Sequence, residues 1–168
     1  MSLTRNLIRV TVAAAVIVVA LSKRTREDPS DLPDWLECDS QGSDSDSGTV
    51  SATQAALVLE IKSTGHMLKI PARSAPVGTR FKMTNVVGTK PAVDIVVEPH
   101  GTVLNPPATL TLKYPIKCIR KKPNIFAYRI WRQDESDQWH RKGGSHTGPA
   151  FRVSVDLPSF STYALAAN

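Results

Sequence analysis

From residue 49 onward, apolar and polar positions alternate in short runs. Leu57, Leu59 and Ile61 share one parity, and a second run extends from Met67 to Ile70. Phe81, Met83, Asn85 and Val87 form a third, and Ala92–Glu98 is a β-branched apolar run. Ala108, Leu110, Leu112 and Tyr114 alternate with Thr109, Thr111 and Lys113. Phe126, Tyr128 and Ile130 alternate with Ala127, Arg129 and Trp131, and Phe151, Val153, Val155 and Leu157 alternate with polar neighbours. A period of two over four to eight residues predicts strands with one buried face. No window keeps a period of 3.6 for three turns. Pro71, Pro76-Val77-Gly78, Gly88, Pro99-His100-Gly101, Pro106-Pro107, Pro123-Asn124, Gly143-Gly144 and Gly148-Pro149 punctuate the runs. The pattern predicts an all-β fold: an antiparallel β-sandwich of about eight short strands over residues 49–168.

The first 22 residues read differently. Arg5 and Arg9 precede Val10–Leu21, twelve residues without a charge. That length suits the apolar helix of a secretory signal, and Ala20 and Ser22 supply small residues for cleavage. The rival is an uncleaved anchor over residues 7–21, with Arg9 snorkelling and Lys23-Arg24 directly behind. Either reading makes the remainder extracytoplasmic, whether secreted, periplasmic or at the cell surface, and membrane-tethered if uncleaved.

Residues 23–48 are rich in Ser, Asp, Pro and Gly, and predict a disordered acidic linker. Asp44 and Asp46 have the look of a calcium loop, but no Gly-x5-Glu follows, so no metal is assigned. Leu32, Trp35 and Leu36 form an apolar patch that can dock on the domain and bring Cys38 with it. The chain's two cysteines, Cys38 and Cys118, are a disulfide candidate in an oxidising compartment, with two free thiols as the alternative.

Composition sharpens this division. The net charge of +6 over 168 residues divides into a small excess of base in 1–22, an acidic 23–48 and a strongly basic 49–168. The sharpest basic feature is the segment carrying Lys117, Arg120, Lys121 and Lys122. It suits anionic head groups, envelope polymers or an acidic protein. Aromatic residues do not interleave with these cations, so nucleic acid is not an expected partner.

Four stretches resemble a known family. They are Met67–Ala72, the Val97–Leu112 run with its Pro99-His100-Gly101 and Pro106-Pro107-Ala108-Thr109-Leu110 motifs, Ile130–Trp139, and Phe160-Ser161-Thr162-Tyr163-Ala164. In order and spacing they resemble the ZU5-like β-sandwich of bacterial secreted and surface proteins. Leu104 stands where that family usually has an aromatic, and Ser159 where a His often precedes the closing Phe. The resemblance implies a protein-interaction or spacer role rather than catalysis.

The catalytic alternatives are few. GxSxG, HExxH, P-loop and GxGxxG motifs are absent, and no cofactor is expected. His66, His100, His140 and His146 are scattered over turns and strand ends. Ser159-Phe160-Ser161 resembles the self-cleaving Ser-Phe-Ser of eukaryotic ZU5-containing proteins. That resemblance implies attack by Ser161 on the Phe160 carbonyl, with His140 or His146 as base. A third reading is a carbohydrate-binding module using Trp131 and Trp139 as a stacking platform; their simpler role is cross-strand packing. The reading preferred from sequence is a non-catalytic extracytoplasmic interaction or spacer module.

Overall fold

The computed structural model describes residues 33–35, 42–53, 55–88, 92–99, 101–114, 125–147 and 151–167. The expected N-terminal helix, the signal or anchor segment, Cys38 and Cys118 lie outside these residues. The described strands are β1 (Asp34–Trp35), β2 (Ser45–Thr49), β3 (Ala56–Ile61), β4 (His66–Pro71), β5 (Arg80–Asn85) and β6 (Ala92–Glu98). They continue with β7 (Ala108–Lys113), β8 (Arg129–Gln133), β9 (Trp139–Gly143), β10 (Ser145–His146), β11 (Arg152–Leu157) and β12 (Thr162–Ala167). Every pairing is antiparallel.

Two sheets result. The larger runs β2-β5-β6-β12-β8-β9, with β1 beside the end of β12, and the smaller runs β10-β11-β7-β4-β3. Period two does the sorting. Leu57, Leu59 and Ile61 of β3, Leu68 and Ile70 of β4, and Leu110 and Leu112 of β7 face Phe81, Met83, Val93, Ile95, Tyr163 and Leu165 across the core. The alternation that predicted these strands is therefore the alternation that fills the sandwich. Two expected strands start later than their pattern. Ile125–Ala127 is a 3-10 turn and Phe126 faces solvent, and Phe151 precedes β11 with a φ of 49°.

The linker expectation fails at its last residues. Ser45-Asp46-Ser47-Gly48-Thr49 is not disordered but forms edge strand β2 on β5. Its odd and even positions have different tasks. Ser45, Ser47 and Thr49 face solvent, while Asp44, Asp46 and Gly48 turn towards the other sheet. There Asp46 accepts the Glu60 amide at 2.8 Å and Asp44 accepts the Ser63 amide at 3.2 Å. Hydrogen bonds from Ser63, side chain first, hold the Asp44 carboxyl below its ordinary pKa. Gly48 leaves room for the core leucines: a Cβ there would lie 2.6 Å from Leu57 Cδ1 and displace that side-chain end. Carboxylates thus satisfy one amide of β3, the outer strand of the smaller sheet, and one of the turn that follows it, without any apolar burial by the aspartates. Composition reads such a stretch as solvated because it counts residue types rather than the partners they meet. We expect Asp46→Ala to cost about 1–2 kcal/mol in urea denaturation and Ser47→Ala to stay within about 0.5 kcal/mol. Equal effects would mean that the bond to Glu60 is not made.

The opposite edge is closed by the chain itself. β9 belongs to the larger sheet and β10 to the smaller, and only Gly144 separates them. Gly143 and Gly144 have φ of 90° and 114°. A Cβ on Gly144 would sit 2.6 Å from Val153 Cγ1 and 3.0 Å from the Ser154 carbonyl oxygen. The strand changes sheets at a point where nothing larger than hydrogen fits.

Candidate functional site

Strand directions sort the connections onto two ends. The β7–β8 connection, the β3–β4 turn and the β9–β11 corner share one end, which we call the basic end after the residues 115–124 that depart from it. Lys117, Arg120, Lys121 and Lys122 themselves lie outside the described residues, but both places where that connection joins the sandwich are described. On one side β7 stops at Lys113, followed by Tyr114; on the other Phe126 precedes β8.

An aromatic cluster occupies this junction. Tyr114 is buried, and its amide donates to the Phe151 carbonyl at 2.9 Å. The His146 ring lies parallel to Tyr114 with centroids 6.1 Å apart, and Phe126 meets the same imidazole edge-on at 5.3 Å. Arg129 Nη1 donates to the Phe126 and Tyr128 carbonyls and lies 3.2 Å from His146 Nε2. Phe126 is 67% exposed and Phe151 38%, whereas Phe81 is buried and Phe160 packs against the core. Burial pushes the Tyr114 hydroxyl pKa upward, so this ring stays neutral at any ordinary pH.

His66 sits at the same end and is 0% exposed. It is the first residue of β4, at the inward parity of Leu68 and Ile70, and its Nδ1 accepts the Lys113 amide at 3.1 Å. Its Nε2 has no partner among the described residues. Burial, and then the Lys113 charge, lower its pKa to about 4. It stands at a strand end, and its parity with Leu68 and Ile70 is the signal that marks it as buried.

The self-cleavage residues are divided between the ends. Ser161 stands at the opposite end, where its hydroxyl donates to the Gln133 carbonyl and its own carbonyl accepts the Ile95 amide at 3.1 Å. Phe160 packs edge-on against Phe81 with centroids 5.5 Å apart. His140 directs Nε2 to Asp134 Oδ2 at 2.7 Å, and Asp134 also accepts the Ser136 and Gln138 amides. These bonds, His140 first, hold the Asp134 carboxyl below its ordinary value. His146 belongs to the basic end. The fold therefore gathers Ser161, Asp134 and His140 around one hairpin, with the serine proton given to a backbone carbonyl.

The tryptophans form a separate surface. Register pairs Trp131 with Ala164, Trp139 with Gln133 and Trp35 with Ala166, all at positions facing away from the core. Trp35 meets Trp139 edge-on at 4.8 Å, and Trp131 Nε1 donates to the Ala166 carbonyl at 3.3 Å. Of the expected apolar patch Leu32, Trp35 and Leu36, only Trp35 lies within the described residues, and through β1 it docks beside Trp139.

Among the described residues no group of three or more His, Cys, Asp or Glu gathers as a metal site. A cleft of about 470 Å³ lies at the end opposite the basic end, between Val50–Ala55 and Ala72–Val77, with Arg73 its single charged residue. Compared with protein-family models and with curated proteins, the chain matches none. The ZU5-like resemblance accordingly rests on its four motifs, which fall on β4, the β6–β7 connection, the β8–β9 hairpin and β12.

Proposed function

We propose that this chain is a non-catalytic extracytoplasmic interaction module that binds an anionic envelope component through its basic end. The observation that carries this reading is the pair of solvent-facing phenylalanines, Phe126 and Phe151, beside the junctions of the segment that bears Lys117, Arg120, Lys121 and Lys122. Apolar rings beside clustered cations are the combination that anionic interfaces hold, because ring burial and charge attraction add. Topology supports the same orientation. β1 runs antiparallel to β12 and pairs Asp34 with Ala167, so the chain reaches β1 from the basic end. The start of β1 therefore lies at the same end as Tyr114 and Phe126, the described residues that flank the basic segment. The ZU5-like motifs favour an interaction role over a catalytic one.

Sedimentation with vesicles tests this directly. We expect retention on phosphatidylglycerol-containing vesicles and none on phosphatidylcholine alone, weakening as salt rises from about 0.05 to 0.5 M. Each cation near the surface adds about 1 kcal/mol, so Lys121→Glu with Lys122→Glu should weaken binding more than ~10-fold. Phe126→Ser should weaken it at every salt concentration. Failure to bind anionic vesicles at low salt, with binding to an acidic protein instead, would move the partner from lipid to protein; failure of both would leave the spacer role.

A further inference from the structure

We infer that the outward face of the smaller sheet carries an oxyanion site, in which Arg152 and Lys113 hold a phosphoryl group against the hydroxyls of Thr147, Ser154 and Thr111. Register puts the two cations together. Arg152 of β11 and Lys113 of β7 are direct partners in an antiparallel ladder, so their side chains leave the same face side by side. The next residues inward, Val153 and Leu112, are buried, so that face is the one turned away from the core. The pair is fixed from both flanks. The Tyr114 amide donates to the Phe151 carbonyl at 2.9 Å, and the Thr147 amide donates to the Arg152 carbonyl at 3.1 Å. Like charges directly opposed in a sheet repel. Among the described residues neither cation has an ion-pair partner, and Arg152 Nε is screened from water without a hydrogen bond. Lys113 lies across Gly65, where a Cβ would be 3.0 Å from its Cδ and 3.5 Å from its Nζ. Two cations set side by side with no counter-charge describe a place for an anion.

The hydroxyls complete the site. Ser154 and Thr111 are partners in the next outward row of the same face. Their hydroxyl oxygens are 2.8 Å apart, and Thr147 Oγ1 lies 3.4 Å from Ser154 Oγ. Three hydroxyls bring three protons, and two contacts use two of them, so one proton remains for an acceptor outside the group. The two rows are a two-residue step apart, about 7 Å, which a tetrahedral oxyanion spans with one hydrogen bond on each side. Asp156 follows on β11 beyond the hydroxyl row, where it accepts the Thr109 hydroxyl at 2.9 Å, so the hydroxyls stand between this carboxylate and the cations. A phosphoryl group suits the arrangement better than a carboxylate. It offers at least three oxygens at tetrahedral angles, enough for the guanidinium, the ammonium and the hydroxyl row together. The pair lies at the basic end, because β7 stops there and β11 starts there. Use of the site on an envelope component rests on the docking reading above; a lipid phosphate and a soluble phosphate ester present the same group.

Inorganic phosphate is the probe that tests the site without any membrane. In amide NMR of the full chain at constant pH, phosphate should move Thr111, Lys113, Thr147, Arg152 and Ser154 in a saturating manner. Lys82 and Thr84 of β5, in the other sheet, should stay in place, and chloride at matched ionic strength should move none of these residues. Arg152→Gln should weaken phosphate binding at least about tenfold, and Thr111→Val, which keeps the branched shape and loses the hydroxyl, about threefold or more. Stability supplies a second readout. Without phosphate, Arg152→Gln relieves the opposed charges and should not lower the urea midpoint; excess phosphate should raise the midpoint of the native chain and not that of the variant. Equal shifts with chloride, or phosphate binding that survives Arg152→Gln unchanged, overturn the inference. Retention on phosphatidylglycerol vesicles is read separately. Phosphate binding without vesicle retention sinks the docking reading and leaves a site for a soluble phosphate ester, whereas retention lost in Arg152→Gln identifies the lipid phosphate as its occupant. Retention that persists in Arg152→Gln, with no phosphate binding by the native chain, overturns the site and leaves the docking reading standing.

Discussion

Gly144→Ala lowers the stability of this domain by about 3 kcal/mol, while Gly78→Ala costs about 1 kcal/mol. The two positions share a left-handed backbone, with φ of 114° and 90°. They differ in what surrounds them. Around Gly78 a Cβ would meet nothing within 4 Å, so the alanine is penalised for its backbone conformation alone. Around Gly144 the added carbon would lie 2.6 Å from Val153 Cγ1 and 3.0 Å from the Ser154 carbonyl oxygen. Val153 is buried and Ser154 is paired to β7, so neither can yield without disturbing the core or a ladder. The adjustment falls on the passage of the chain from one sheet to the other. Urea denaturation of both variants checks this: equal losses would show that the corner is looser than its geometry.

The second large effect is a loss of stability in mild acid. The folded-state pKa of His66 lies near 4 against 6.5 for a free imidazole, so the unfolded chain binds the extra proton between those values. Stability is therefore fully present above pH 6.5, falls as pH drops, and has lost this contribution below pH 4. A difference of this size corresponds to about 3 kcal/mol. The carboxylates act in a different window. Asp44 and Asp134 are both held below the ordinary aspartate pKa, so their contribution is present above that range and is lost only as acidity increases further. Urea midpoints at pH 7.5, 5.5 and 4.5 should fall steadily for the native chain. The slope over that range should be much reduced in His66→Asn. A flat midpoint from pH 7.5 to 4.5 would show that His66 takes up its proton within the folded sandwich.

How much of this was legible can be followed residue by residue. Ala92–Glu98 was marked as an apolar run and is β6 with the same bounds, and Leu57, Leu59 and Ile61 were assigned the parity that they bury. Gly101, among the turn formers that punctuate the runs, has a φ of 78°. These features are local, so a short window contains them. β2 was not legible, because its warrant is the Glu60 and Ser63 amides, more than a dozen residues away. The same holds for Phe126. Its alternation with Tyr128 and Ile130 is real, but the 3-10 turn at Ile125–Ala127 breaks the period before the strand begins. The basic segment was visible as a run of charges. What composition could not show was that two exposed aromatic rings and a buried histidine gather where it departs.

The division of aromatic residues between surfaces has a spectroscopic consequence. The three tyrosines, Tyr114, Tyr128 and Tyr163, all lie in the core, whereas the chain's three tryptophans all lie on the outward side of the larger sheet, around β1. Indole emission from this protein therefore follows the seating of a two-residue strand, and phenolic absorbance follows the interior. Recorded on one sample, the two signals separate detachment of the N-terminal segment from collapse of the sandwich.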